Sequence, residues 1–433
     1  MNKKIILITD GGGRGAVLVD KYGQSKHVGR ILVVPGNDLM QINTDKKVIT
    51  YPNLKTTSIK EILEIIKKEK VDLVDVSQDN AVEAGVVDEV LKLGINVVGP
   101  TKQAGQIEWD KVYSREFMVK NKIATPKFYS FNSEKKAIDF VKKNKNSKWF
   151  VKASGLAEGK GAIPAANLDE AIYAIGEMKK FGLSGETFLL EEWLIGEEFS
   201  VFAFSDGKDF IYVGSAQDHK RVNNGDIGAN TGGMGCVSNP LIFDENIKKQ
   251  SIEIFHKVIN GLKDKGIFYK GVIYLGGMVV GKKLFVIEFN ARWGDPEAEA
   301  ILPSIENDYY EIGMAISRGT LKKIKIKTDK KIRMVVSLCS KGYPINYSKV
   351  KGKKITGIKR ALKFVKIYGA GIKKSGKDFV VNGGRVLFVV AEGEDVLEAR
   401  EKAYNAIKLI NIEGDNLHFR SDIGWRDIKR LKK

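Results

Sequence analysis

The first hundred residues alternate short apolar runs with longer stretches in which apolar residues recur every three or four positions. The runs KIILI, RILVVP, VDLVDV and INVVGP predict buried strands. SIKEILEIIKKEK and NAVEAGVVDEVLKLG lie among them and predict helices. Strands that alternate with helices form parallel sheets. We therefore predict an N-terminal Rossmann-like domain with a doubly wound parallel sheet over residues 1–105.

A different pattern follows this domain. Residues 99–126 predict a helical connector that ends at Pro126, and NLDEAIYAIGEMKKFG predicts another helix. WFVKAS, ETFLLEEWL and EEFSVFAF predict strands, and KGVIYLGGMVVGKKLFVIEFN predicts a hairpin. We expect a domain of two α+β subdomains over residues 106–328, with a lid subdomain at about 125–195. A small C-terminal α/β domain is expected over residues 329–433.

Composition narrows the class of protein. A chain of 433 residues suits two to four domains. No apolar run approaches the length of a membrane span, and Lys3 and Lys4 are followed by too few apolar residues for a signal peptide. We therefore expect a cytoplasmic protein. Cys236 and Cys339 form no CxxC pair and the four histidines are scattered, which disfavours a disulfide framework and a zinc site.

The net charge of +19 raises the possibility of nucleic-acid binding. The lysines, however, are spread over helices and loops, and no basic block alternates with aromatic residues. Because clustering is the informative signal, we favour a lysine-rich composition or anionic small substrates over a nucleic-acid partner.

Two segments have features suited to a nucleotide. The glycine-rich VKASGLAEGKGA can bring backbone N–H groups, Lys152 and Lys160 against phosphates, although it lacks the Ser or Thr of a Walker A loop. The alternative is a glycine hairpin with a solvated lysine. In LLEEWLIGEEFS, backbone groups can pair with adenine while Glu198 accepts from ribose hydroxyls. Taken alone, this segment is better explained by an exposed acidic edge strand with an ordinary turn at Gly196.

The segment VIEFNARWGDPEAEA points to a metal. Glu288 and Asn290 alternate along a strand, so both side chains face the same side. Two oxygen ligands on one face suit magnesium, which keeps its other positions for phosphate and water. Arg292 continues the alternation and can neutralise a transferring phosphoryl group. Asp295 belongs either to the same site or to a turn around Pro296.

Glycine-rich loops occur at two further places. AQDHKRVNNGDIGANTGGMG is long and polar, which is typical of a functional loop, and it offers Asp218, His219, Lys220 and Arg221. We assign no chemistry to His219. ITDGGGRGAV fits the loose dinucleotide fingerprint, but the next strand ends in Val34 and Pro35 instead of an acid that could bind ribose.

Taken in order along nearly the whole chain, these segments resemble the glycinamide ribonucleotide synthetase family of the ATP-grasp superfamily. The matching motifs are GLAEGKG, QDHKR, NTGGMG, IEFNARWGDPE, SKGYP, GGRVL and HFRSDIGWR. The resemblance implies that ATP, glycine and 5-phosphoribosylamine react to give glycinamide ribonucleotide, ADP and phosphate through a glycyl phosphate. It implies small-molecule partners and a monomer or homodimer, without nucleic acid or membrane.

The resemblance also assigns roles to residues. Phosphates of ATP would contact Lys111 and Lys152 under a lid that contains Gly159 and Lys160, and Mg²⁺ or Mn²⁺ would bind Glu288 and Asn290. Adenine and ribose would lie against Glu191, Trp193, Leu194 and Glu198. Candidate catalytic residues are Asp218, Lys220 and Arg292. Candidate substrate residues are Gly13, Arg14, Arg292 and Asp295, because the GGGRG turn belongs to the amine side in this family.

The chain departs from the family pattern on the amine side. Gly15 and Ala16 stand where the family has Glu and His after its first arginine. Ser77, Gln78 and Asp79 replace Gly-Pro-Glu, and VKIYGAG replaces the usual His-Ala-Gly-Thr. These departures leave two predictions open: a synthetase for glycinamide ribonucleotide, or a related carboxylate–amine ligase that accepts a different amine.

Overall fold

The structure, a computed structural model, describes residues 3–157 and 160–432. Its N-terminal sheet consists of Lys4–Thr9 (β1), Val28–Val33 (β2), Lys47–Thr50 (β3), Leu73–Val76 (β4) and Asn96–Val98 (β5). The strands are parallel and lie in the order β3-β2-β1-β4-β5. Four of them are the predicted strands. The sequence did not predict β3, a four-residue edge strand with no fully buried residue.

The N-terminal helices are Gly13–Gly23 (α1), Ile59–Glu69 (α2), Asp79–Ala84 (α3) and Val86–Lys92 (α4). The single helix predicted over NAVEAGVVDEVLKLG is wrong, because two helices meet there at Gly85. That glycine has φ +87°, a left-handed conformation that ends α3, and its N–H donates to the Val82 carbonyl.

The connector helices and the segment predicted as the lid follow the N-terminal region in the chain. The connector helices are Gln106–Trp109 (α5) and Lys111–Lys120 (α6), and α6 begins where the Asp110 carboxylate accepts from the Tyr113 N–H. The lid strands Phe128–Phe131 (β6), Trp149–Ala153 (β7), Ala162–Ala165 (β8) and Phe188–Glu192 (β9) lie in the order β6-β9-β7-β8. Its helices are Glu134–Lys143 (α7), Leu168–Glu177 (α8) and Leu183–Glu186 (α9).

The central region supplies the next strands and helices. Its strands are Glu197–Asp206 (β10), Phe210–Asp218 (β11), Arg221–Asn223 (β12), Ile227–Asn230 (β13), Gly235–Ser238 (β14), Lys270–Val280 (β15) and Lys283–Asn290 (β16). Its helices are Glu245–Lys263 (α10), Glu297–Ile301 (α11) and Tyr309–Arg318 (α12). The predicted hairpin at Gly281 is present as β15 and β16. β12 and β13 form a separate two-stranded sheet.

The C-terminal region continues the same sheet. Its strands are Ile332–Ser340 (β17), Lys354–Thr356 (β18), Lys366–Gly369 (β19), Ile372–Ser375 (β20), Asp378–Val381 (β21), Arg385–Gly393 (β22), Asn411–Ile412 (β23) and Leu417–His418 (β24). Its helices are Ile358–Ala361 (α13), Val396–Ile407 (α14) and Trp425–Leu431 (α15). The central sheet has the order β16-β15-β10-β11-β14-β17-β22-β19, with β24 beside β17.

Packing joins the regions. One hydrophobic core contains Ile6 and Val17 of the N-terminal sheet layer, Phe202 and Trp293 of the central region, and Phe388 of β22. The predicted architecture is present: a doubly wound parallel sheet, two α+β subdomains in the middle of the chain and a C-terminal α/β region. Among the helices within 3–157 and 160–432, none combines the length and the hydropathy that a membrane span needs.

Candidate active site

A cavity of about 700 Å³ lies where the N-terminal sheet, the lid, the central sheet and the C-terminal strands meet. Its wall includes Gly12 of the N-terminal turn, Lys152 at the end of β7, Glu288 of β16 and Arg385 of β22. Four parts of the chain therefore converge on one site, as a reaction with several substrates requires.

The side chains of Glu288 and Asn290 lie side by side in the wall of this cavity, and both carry oxygen atoms that a metal ion could bind. Glu288 pairs with Gly276 of β15, and Asn290 pairs with Tyr274, so both side chains project from the same face of β16. A Cβ atom on Gly276 would lie 3.0 Å from the Glu288 side chain, so glycine leaves room for it. The Asn290 amide is 3.5 Å from Oε1 of Glu288. The alternation in the sequence predicted this arrangement.

Three lysines determine the charge of Glu288. Burial by itself raises the pKa of this carboxyl, but the positive charges of Lys220, Lys152 and Lys111 outweigh it and hold the pKa below its usual value. Glu288 is therefore an anion at neutral pH, surrounded by cations that can also face phosphate oxygens.

Strands β7 and β9 and helix α6 together contribute a buried ion-pair cluster. Nζ of Lys152 is 2.5 Å from Oε2 of Glu191, and Oε1 of Glu191 accepts from Nε of Arg115 at 2.6 Å. Burial raises the pKa of Glu191, but the two cations lower it to about 2. Lys111 donates from Nζ to the Gly155 carbonyl at 3.0 Å, which brings α6 and the glycine loop together.

The end of β11 brings an acid and a cation into the cavity. Nζ of Lys220 lies 2.8 Å from Oε2 of Glu198, and both residues line a small recess of about 20 Å³ beside Glu288. Burial, followed by the charge of Glu297, raises the pKa of Asp218 to about 8. This acid can therefore hold or release a proton near neutral pH.

His219 lies between these two residues but points away from the cavity. Its side chain is buried, and burial lowers its pKa to about 3. Nδ1 donates to the Gly235 carbonyl at 3.2 Å, and Nε2 accepts from the Gly424 N–H at 3.2 Å. His219 is thus a neutral hydrogen-bonding residue rather than an acid–base group.

Arg292 follows β16 and links it to the connector helix α5 and to the N-terminal helix α3. Its guanidinium lies 2.8 Å from the Glu108 carboxylate, 3.2 Å from Oδ1 of Asn290 and 3.7 Å from the Asp79 carboxylate. Burial raises the pKa of Glu108 to about 7 against the opposing charge of Arg292. The guanidinium thus stands at the cavity wall with its orientation fixed by neighbours on both sides.

The N-terminal turn is packed tightly against the rest of the molecule. Nε of Arg14 is 2.7 Å from the Asp10 carboxylate, and Nη1 donates to the Trp293 carbonyl at 2.8 Å. A Cβ atom on Gly13 would lie 2.3 Å from the Phe388 ring, so Gly13 faces the sheet and not the cavity. Arg14 lines the cavity, but its guanidinium already connects two regions of the chain.

Three domain profiles of phosphoribosylglycinamide synthetase match in chain order: the N domain at residues 4–108, the ATP-grasp domain at 109–298 and the C domain at 333–426. The chain belongs to the phosphoribosylglycinamide synthetase family. The resemblance and the ligase class predicted from the sequence are confirmed.

Two named relatives align with this chain along almost the whole length of both sequences. The phosphoribosylamine–glycine ligase of Caldanaerobacter subterraneus is 37% identical over 96% of this chain and 99% of its own. The enzyme of that name from Haemophilus influenzae is 35% identical over 98% and 99%. The crystal structure of the Thermotoga maritima phosphoribosylamine–glycine ligase superposes with a TM-score of 0.83 at 27% identity, covering 97% of this chain and 100% of that chain.

The remaining predicted ATP-binding residues of this synthetase-family chain are Gly159, Lys160, Trp193 and Leu194. Trp193 packs on Phe150 with ring centroids 4.9 Å apart, and it and Leu194 are half-buried. Neither is among the described residues that line the cavity. Lys160 is exposed, and Gly159 lies outside the described residues. Their contacts with ATP stay predictions.

The departures from the synthetase pattern fall in two different environments. Gly15 and Ala16 are buried in α1, and a Cβ on Gly15 would lie 2.7 Å from Asp10, so they belong to the packing of the helix. Gln78 and Asp79 instead line the cavity. Asp79 stands where the family has glutamate, so a carboxylate remains beside Arg292.

Arg385 is a cavity residue that the sequence did not predict, although it belongs to the GGRVL motif. Arg385 begins β22, lines the cavity, and lies 2.9 Å from the Asp295 carboxylate. It also donates to the carbonyls of Gly232 and Asp295. The available signal was a single cation at the start of an otherwise apolar strand. Its acidic partner is ninety positions away, so no local pattern could have identified it.

Proposed function

We propose that this chain ligates glycine to 5-phosphoribosylamine with ATP, giving glycinamide ribonucleotide, ADP and phosphate in purine biosynthesis. One observation carries the proposal. The cavity holds the anionic Glu288 with Asn290 beside it, surrounded by Lys111, Lys152 and Lys220, and it opens toward the N-terminal turn. Charges for a nucleotide phosphate and space for a second substrate are therefore in one site.

In the proposed reaction the glycine carboxylate attacks the γ-phosphorus of ATP, the bond to ADP breaks, and glycyl phosphate forms. The amine of phosphoribosylamine then attacks the carbonyl carbon and phosphate leaves. We assign Arg292 and Lys220 to neutralising negative charge during these steps. We assign Asp218, in its deprotonated form, to accept the proton that the attacking amine must lose. Its raised pKa makes this carboxylate a stronger base.

We assign the ATP phosphates to Lys111 and Lys152, and adenine and ribose to the Glu191–Glu198 region. Leu156 and Ala157 of the glycine loop line the cavity, so movement of this loop would cover the phosphates. Covering them matters because water would hydrolyse an acyl phosphate.

The residues present fit a divalent cation. Glu288 is deprotonated, and it and Asn290 offer hard oxygen atoms on one face of β16. We assign the ion, Mg²⁺ or Mn²⁺, to these two side chains. When bound, it would supply positive charge for the phosphate oxygens.

On the amine side, Gly11, Gly12, Gln78 and Asp79 line the cavity, and we assign phosphoribosylamine to this end. The retained carboxylate of Asp79 supports phosphoribosylamine over a different amine, since the altered Gly15 and Ala16 lie in the packing of α1. We further propose a cytoplasmic monomer or homodimer whose partners are small molecules.

The test is a product assay. Purified protein with ATP, Mg²⁺, glycine and freshly generated phosphoribosylamine should release ADP and form glycinamide ribonucleotide, identified by mass spectrometry. ADP release with another amine and no product from phosphoribosylamine would instead establish the alternative ligase. No ADP release with any carboxylate would refute both.

The metal assignment makes a separate prediction. Glu288→Gln keeps the size of the side chain but removes its charge, so kcat for ADP release should fall by about a hundredfold or more. Glu245→Gln changes an exposed glutamate of α10 and should leave kcat unchanged. If Mg²⁺ activates the Glu288→Gln and Asn290→Ala variants as it does the wild type, these residues do not hold the ion.

A further inference from the structure

The cavity wall contains both ends of a small hairpin that stands outside the main sheets. Asp218 ends β11, Lys220 directly precedes β12, Asn230 ends β13 and Thr231 follows it, and all four line the cavity. Among the strands that the structure describes, β12 and β13 pair only with each other. Because a lone two-stranded hairpin is marginally stable, the positions of Lys220, Asn230 and Thr231 depend on what covers the hairpin.

The C-terminal segment 418–426 covers it. His418 contacts the Val222 carbonyl at 3.0 Å, and Asn224 and Ser421 exchange two hydrogen bonds of 2.6 and 3.0 Å. The Gly225 N–H donates to Asp422 at 2.8 Å. These contacts join residues about two hundred positions apart.

Arg420 is the centre of this contact. Its side chain is fully buried, and its guanidinium donates two bonds, of 2.7 and 2.8 Å, to Asp422. The same guanidinium reaches the Asp226 carboxylate at 2.8 Å and the Arg221 carbonyl at 3.1 Å. Asp226 also pairs with Arg426 at 2.5 Å. Such a planar, multiply bonded guanidinium fixes direction as well as distance.

The contact extends to the candidate catalytic residues themselves. His219, between Asp218 and Lys220, accepts from the Gly424 N–H. On the return strand the Thr231 N–H donates to the Lys220 carbonyl at 2.8 Å. Asp218 ends β11 and pairs with Cys236 of β14, so the main sheet holds its backbone. A shift of the hairpin would therefore move the backbone of Lys220 relative to Asp218.

We propose that the C-terminal segment 418–426 is a positioning element of the active site, and that Arg420 is a positioning residue that acts through Asp226 and the Arg221 carbonyl. The kinetic part of this inference rests on the proposed function. Arg420 is not among the described residues that line the cavity, so it acts through the hairpin. It holds the hairpin so that Lys220 faces the cavity beside Asp218.

The experiment compares two buried arginines. Arg420→Lys keeps the charge but loses the planar fork. The matched control is Arg333→Lys, because Arg333 is equally buried, forms two bonds of 2.8 and 2.6 Å with Asp329, and is not among the described residues that line the cavity. Both changes remove the same kind of contact and should lower Tm. Kinetics are measured at a temperature at which both variants are folded.

Arg420→Lys should lower kcat/KM for glycine about tenfold or more, as misplaced reacting groups do, while Arg333→Lys should stay within about twofold of the wild type. Hydrogen exchange supplies a readout that needs no activity. Amides of residues 219–233 should exchange faster in Arg420→Lys and at the wild-type rate in Arg333→Lys.

Equal kinetics in the two variants, with unchanged exchange in 219–233, would overturn the proposal. If wild-type protein makes no product, the proposed function fails, and the exchange result alone decides the positioning role. If Arg420→Lys does not fold, Asp226→Asn serves instead, since it removes the same ion pair from the hairpin side. It should show the same kinetic and exchange changes, and normal behaviour would equally refute the proposal.

Discussion

Four buried cations around the cavity have a carboxylate within hydrogen-bond distance. Arg14 lies beside Asp10, Arg115 and Lys152 flank Glu191, and Arg292 lies beside Glu108, all at 2.5–2.8 Å. Unpaired burial of these groups would cost several kcal/mol each, so the pairs determine which charges can stay in the site. The cavity is therefore lined by charges with fixed positions, which is the arrangement that electrostatic catalysis needs.

Single-residue patterns predicted part of this arrangement. Alternation along one strand predicted that Glu288 and Asn290 share a face, because strand geometry alone determines that. β16 ends at Asn290, so Arg292 reaches the cavity from the segment that follows the strand. No local pattern predicted that Arg14 would bond Asp10 and the Trp293 carbonyl, since Trp293 is 279 positions away. The sequence suggested a guanidinium open to substrate, and tertiary packing gave it partners instead.

His219 gives the residue-scale prediction. Its pKa of about 3 lies below the usual 6.5, so the unfolded chain takes up this proton first as pH falls. The contribution of the neutral His219 to the free energy of unfolding is thus fully present above pH 6.5, and it is lost as pH falls toward 3. From pH 6.5 to 5 the free energy of unfolding should fall by about 2 kcal/mol through this group.

Urea denaturation of wild type and His219→Gln at both pH values measures this contribution. The glutamine variant should lack that part of the pH dependence, because it cannot take up the proton. His256→Gln, which changes an exposed histidine of α10, should retain the wild-type dependence. A His219→Gln variant with the full wild-type loss between pH 6.5 and 5 would contradict the assignment of a neutral buried imidazole.

At the scale of elements, apolar periodicity predicted which segments are strands and helices, but not where helices end. The pattern over residues 80–94 is continuous, yet the backbone turns at Gly85 and begins a second helix. Glycine in a helical pattern is compatible with both outcomes, so only packing decides. β3 was missed for a related reason, because an edge strand with half-exposed residues has little apolar contrast.

Two glycine substitutions test whether the helix ends at Gly85 or continues through it. Gly85→Ala places a side chain at φ +87° and should lower the free energy of unfolding by about 1–2 kcal/mol. Gly176→Ala lies inside α8 and adds a Cβ atom whose nearest neighbour is 3.8 Å away. This substitution should raise the free energy of unfolding by up to about 1 kcal/mol. Chemical denaturation of both variants checks the signs. Stabilisation by Gly85→Ala would mean that one helix continues through residue 85.

For the whole molecule, motifs predicted the three parts of the chain, because each motif carries its own chemistry. They did not predict that one sheet crosses from the ATP-grasp region into the C-terminal region. Strand pairing between β14 and β17 joins segments about a hundred positions apart, with Cys236 opposite Val335. Neither strand's sequence specifies its partner, since any buried apolar strand could pair there.

This pairing predicts that the C-terminal region is required for the fold of the central one. A chain that ends at residue 328 would leave the edge of β14 and the buried Cys236 and Val237 uncovered, so it should aggregate when expressed alone. Co-expression of residues 329–433 should restore soluble protein, because it supplies β17. The control is a chain that ends at residue 431, which keeps every strand and should stay soluble. A soluble, monomeric 1–328 chain that unfolds cooperatively would show that the sheet is complete without its C-terminal strands.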